Sequence, residues 1–131
     1  MKRIIAGLLA TVLGANGVVM LAAGGWWYGA VPGVTMTGPY NPHFVKDIGA
    51  AYLVVAGSLA CRALRPGQGQ GALVAGAAFL GLHAFIHVAD AAMGGHMTHD
   101  LVRDFGGVFV PAVLAAWLSL PERPQTQTQR S

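Results

Sequence analysis

Charge is scarce in this chain: eight Lys or Arg and five Asp or Glu make up 10% of 131 residues, while 54% are apolar. That is too little charge to cover an ordinary soluble domain, and the mean hydropathy of +0.54 gives a membrane-protein composition of about one domain. Cysteine is nearly absent. Cys61 alone excludes an internal disulfide and a cysteine-based zinc cage, and it reads as a small packing residue. The net charge of +3 is spread in ones and twos with no basic patch, which sets nucleic acid aside as a partner. No HExxH motif, nucleophile elbow, phosphate-binding loop or dinucleotide fingerprint is present, so hydrolase and nucleotide chemistry have no support.

What the chain has is apolar length. Residues 4–23, "IIAGLLATVLGANGVVMLAA", carry no charge and are long enough to cross a hydrocarbon core of roughly 30 Å as a helix. Read instead as a secretory signal, "MKR" would be the basic region and "MLAAGG" the cleavage site, but the uncharged run exceeds the usual length of such a segment. Three more apolar segments follow at about 44–62, 71–93 and 101–120. The expected fold is therefore all-α: one membrane domain, 1–120, of four transmembrane helices. Pro111 should kink the fourth, and residues 121–131, "PERPQTQTQRS", should form a disordered cytoplasmic tail.

Basic residues orient the bundle. With the N-terminus inside, Lys2, Arg3, Arg62, Arg65, Arg123 and Arg130 lie on the cytoplasmic side, against Lys46 and Arg103 outside. Both termini are then cytoplasmic. The segment "GGWWYGAVPGVTMTGPYNP" becomes an outer loop whose Trp26, Trp27, Tyr28 and Tyr40 would form an interfacial belt. Asn16, polar within the first span, is expected to hydrogen-bond between helices.

Residues 44–54, "FVKDIGAAYLV", align without gaps on 101–111, "LVRDFGGVFVP". Both carry an apolar residue, Val, a basic residue, Asp, an apolar residue and Gly. This reads as two related helical hairpins in parallel orientation; the simpler alternative is that a basic residue beside Asp merely marks a helix start at the interface.

The polar chemistry collects on the outer side. All five histidines fall there, with Asp47, Asp90, Asp100 and Asp104. In "HAFIHVAD", His83, His87 and Asp90 sit at i, i+4 and i+7, within about 60° of arc on one helix face. His43 and Asp47 are again one turn apart, and His96, His99 and Asp100 line the connection to the fourth span. Ionisable groups within a bilayer usually face a bundle interior or a watery cavity, so the stripe should point inward.

Three readings compete. In the first, His43, Asp47, His83, His87, Asp90, His96 and His99 supply ligands to a transition metal, with iron, copper or zinc fitting imidazole and carboxylate; Met93 and Met97 beside His96 add a soft flavour suited to copper. A haem would want axial histidines from facing helices, such as His43 and His87. In the second, the same residues relay protons or handle a small solute. In the third they are interhelical glue, His43 or His83 bonding Asp90, within a structural or accessory subunit of a membrane complex or a homo-oligomer. Geometry separates the first from the third: ligands need imidazole nitrogens converging on one point, whereas glue needs separate pairs at hydrogen-bond distance.

With four short spans, an N-terminal "MKR" and a second helix opening "HFVKDIGAAYLVVAG", the chain resembles the small four-helix bacterial membrane proteins of the DoxX-like kind. The resemblance implies a compact bundle in a bacterial inner membrane, sometimes associated with redox or respiratory partners. It implies nothing for the "HAFIHVAD" stripe.

Overall fold

In the computed structural model, which describes residues 1–65 and 67–121, the chain is a four-helix bundle with no strand among the described residues. The first span is α1, Lys2–Ala22; a short helix, α2, Gly24–Ala30, follows it. The second and third spans are α3, Pro42–Leu64, and α4, Gln70–Gly94. The fourth span, Met97–Ser119, is composite: α5, Met97–Asp104, a π-helical turn, Phe105–Phe109, and α6, Val110–Ser119. All four spans are long and apolar enough to cross a membrane, so the chain is a multi-pass membrane protein in a lipid environment. Of the expected tail, residues 122–131 lie outside the described residues.

Local signals start and stop the helices. Asn41 caps α3, its Oδ1 accepting from the backbone N–H groups of His43 and Phe44 at 3.1 Å each, and Pro42 occupies the first turn, where no donor is needed. Gly95, at φ 76°, ends α4 in the left-handed conformation. Pro111 acts differently from the expected simple kink. It cannot donate to the preceding turn and its ring crowds the carbonyl four residues back. The helix accommodates this by widening: the Val110 N–H donates to Phe105 O, five residues behind.

The core runs down the bundle axis. On α1 the buried residues are Ala6, Leu9, Leu13, Gly17 and Met20, at helical spacing, and they pack on Val45, Gly49, Tyr52, Val55, Ala56 and Leu59 of α3. Apolar side chains gain little by leaving lipid for protein, so close van der Waals contact must hold these helices together. The sequence permits it at one crossing: a Cβ on Gly17 would stand 2.7 Å from Gly49 O, and one on Gly49 would stand 2.8 Å from Met20 Cβ. Ile4, Leu8, Val12 and Val18, on the opposite side of α1, are more than half exposed and form a lipid-facing surface.

Two polar ends close the bundle. At the end bearing the N-terminus and the close of the fourth span, Arg3 Nε donates to Ala63 O at 2.8 Å, and Lys2 Nζ donates to Leu120 O at 3.2 Å while lying over the Trp117 ring. These cations satisfy carbonyls that a helix C-terminus leaves without partners. The opposite end carries residues 23–41 and is called the cap end here. There Trp27 Nε1 donates to Asn16 Oδ1 at 2.8 Å, so Asn16 does bond to another helix, although that helix is α2 and not a span. Trp26 is 69% exposed, whereas Trp27 turns inward and packs against the core. Tyr28 donates to Gly38 O and its ring lies 5.3 Å from that of Tyr40, which ties the two ends of the cap to each other.

Candidate functional site: a His-Asp-Arg cluster in the cap half

His83 and His87 lie on α4 one turn apart, with ring centroids 4.7 Å from each other at 72°. His83 is stacked on Phe79, at 6.2 Å and 8°, and meets the edge of Tyr52 from α3 at 6.1 Å. His87 Nδ1 is 2.7 Å from Asp104 Oδ2, and that carboxylate is 9% exposed against 28% for the imidazole. Arg103 completes the group. Its Nε donates to Asp104 Oδ1 at 2.7 Å, one terminal nitrogen to Asp104 Oδ2 at 3.0 Å, and the other to Asp100 Oδ1 at 2.8 Å. Both oxygens of Asp104 are therefore engaged, and the bidentate guanidinium fork is the geometry that matches a carboxylate best. His99 Nδ1 extends the group toward the surface, 3.3 Å from Asp100 Oδ1.

The carboxylate that bonds an imidazole of α4 is thus Asp104 of the fourth span, with His87, where the expected pair was Asp90 with His43 or His83. Asp90 is exposed. The reason is angular. Leu73, Gly76, Ala77, Leu80 and Ala91 are the buried residues of α4 and set the direction of the core. At helical spacing His87 lies about 30° from that direction, His83 about 70° and Asp90 about 90°. The three do share a face, but the bundle axis runs along its edge and takes in His87 first.

His43 and Asp47 do not face the α4 imidazoles. They form their own pair on α3, Nε2 to Oδ2 at 3.5 Å, with side chains 89% and 60% exposed. A haem spanning His43 and His87 is consequently not prepared by this arrangement. His96 precedes α5 and is exposed, and His99, placed in the connection by the sequence reading, belongs to the first turn of α5 with a side chain 77% exposed. Met93 and Met97 are exposed at 78% and 46%. The seven candidate ligands therefore separate into His43 with Asp47, His83 beside His87, His99 with Asp100, and the exposed Asp90 and His96. No three His, Cys, Asp or Glu side chains come together as an ion's ligands among the described residues.

The residues that reading the sequence left out of the site are Asp104, Arg103, Tyr52 and Phe79. Two signals pointed to them: Phe79, His83 and His87 repeat at four-residue spacing, and Arg103-Asp104 stands inside an apolar segment that must neutralise its own charges. Comparison of the chain with family models, with curated proteins and with solved structures finds no match.

Proposed function

We propose that this chain is a structural or accessory membrane protein whose His-Asp-Arg cluster, in the outer half of the bundle, fixes the fourth span against α4 and α3. The observation that carries this reading is Asp104: a nearly buried carboxylate bonded through both oxygens, to His87 of one helix and Arg103 of its own. Separate pairs at hydrogen-bond distance are what interhelical glue requires. A proton path is the weaker alternative. The series His99, Asp100, Arg103, Asp104, His87, His83 does run from the surface inward, but an arginine side chain keeps its proton and interrupts a relay. Placement in a bacterial inner membrane with both termini cytoplasmic rests on the basic-residue count and on the DoxX-like resemblance.

A second reading has its own support. His83 and His87 are one turn apart, and Asp104 holds His87 by Nδ1, leaving Nε2 to a ligand; a carboxylate behind a histidine is a common arrangement around metal ions. Iron, copper, zinc or a haem iron bound there would draw its remaining ligands from water, another subunit or a second copy. One experiment separates the two readings. Metal content, visible absorption and unfolding midpoint are measured on detergent-purified wild type, Asp104→Asn and a His83→Ala/His87→Ala double variant. A lower midpoint in both variants with no stoichiometric metal or haem band supports the structural reading. A stoichiometric metal or haem that vanishes in the double variant replaces it with the second.

A further inference from the structure

The cap and the cluster meet at one residue. Gly33 has φ 84°, and a Cβ built on it would stand 2.5 Å from Arg103 Nε and 2.6 Å from the central guanidinium carbon. The flat guanidinium thus lies directly against the Gly33 backbone, an approach that any side chain at this position would block. On its other sides the same guanidinium is held by Asp100 and Asp104, and Asp104 holds His87. The rest of the cap is tied elsewhere: Trp27 bonds Asn16 of α1, Tyr40 lies against Gly24 within the cap, and Asn41 caps α3. The cap is therefore rooted in the first two spans and reaches the fourth through Arg103.

We propose that residues 31–37 form a strap latched through Gly33 to Arg103, so that the carboxylate at Asp104, which holds that guanidinium, controls whether the strap is closed. Gly33 sits on Arg103, Arg103 on Asp104, and Asp104 on His87, so loosening Asp104 frees the guanidinium and, with it, the strap. This goes beyond the holding role of the cluster and does not depend on whether the imidazoles bind an ion.

The strap is tested by distance. Thr35 in the strap and Thr98 on α5 are exposed, and their cysteine variants in a Cys61→Ser background take spin labels. Double electron-electron resonance on the full chain in nanodiscs should give one narrow distance. Asp104→Asn alters a residue that no contact described here joins to the strap, so broadening or lengthening of that distance is the expected result, with Arg103→Gln doing the same and Asp47→Asn leaving it narrow. A narrow, unchanged distance in folded Asp104→Asn overturns the latch. If Arg103→Gln does not fold, Gly33→Ala supplies the second variant: it displaces the guanidinium from the strap side, and a distance identical to wild type in that variant also overturns the proposal. Metal content and unfolding midpoint, read separately, show whether the holding role itself has failed.

Discussion

Residues 44–54 and 101–111 carry one pattern and use it in opposite ways. In the first, Lys46 and Asp47 stand exposed near the start of α3, and Asp47 pairs with His43 one turn away. In the second, Arg103 and Asp104 are drawn into the bundle and joined to His87. The neighbouring helix makes the difference. α4 offers an imidazole at the right depth, whereas residues 4–23, most of α1, contain no ionisable side chain, and a carboxylate turned toward it would lie buried without a partner. The glycines of the motif diverge in the same way: Gly49 is pressed against Gly17, while Gly106 has no neighbour within 4 Å of where its Cβ would stand. At this position one hairpin closes by bare backbone contact and the other by charge, although both share the apolar core below it.

Equivalent substitutions in the two hairpins test this contrast. The largest difference is expected between Asp104→Ala and Asp47→Ala: the first leaves His87 without its carboxylate and Arg103 with Asp100 alone and should destabilise by about 2–3 kcal/mol, the second by less than about 0.5 kcal/mol. Unfolding titrations in dodecyl sulfate would measure both, and similar midpoints would abolish the distinction. Next comes Gly49→Ala, expected to lose about 1–3 kcal/mol through the clash with Met20, whereas Gly106→Ala should be neutral or slightly stabilising in the same assay. His87→Ala should fall in a lower range, about 0.6–1.7 kcal/mol, because Asp104 keeps Arg103; His43→Ala should not move the midpoint. The smallest effect is Trp27→Phe, which removes the bond to Asn16 and should lower stability by about 0.6 kcal/mol, with increased amide exchange in residues 24–30 as its signature.

The fold was largely legible and the cluster only in part. Expected spans at 4–23, 44–62, 71–93 and 101–120 correspond to Lys2–Ala22, Pro42–Leu64, Gln70–Gly94 and Met97–Ser119, because apolar length is written directly into composition. The short helix "GGWWYGA" was read as loop since glycine disfavours helices; its tie to Asn16 is a tertiary contact that no local pattern displays. His87 was found for the right reason, an imidazole in an apolar helix. The carboxylate expected to bond an imidazole is Asp90, with His43 or His83, because periodicity relates residues within one helix and does not show that Asp104 of another helix meets His87. Which edge of the stripe meets the core depends on how Gly76 and Ala77 seat α4 against its neighbours, and that information lies in the packing of three helices together.

The contacts of Lys2 and Arg3 have a consequence for biogenesis. Lys2 bonds a carbonyl 118 residues further along the chain, and Arg3 one that is 60 residues away. In a chain inserted from its N-terminus, water therefore takes the place of these two carbonyls until the later spans are made. Arg3 finds its carbonyl once the second span is in place, and Lys2 must wait for the fourth. Docking of this end is thus ordered in time: an intermediate lacking only the last span already holds α1 by its packing on α3 and by the Arg3 bond, and the final helix adds the Lys2 bond last.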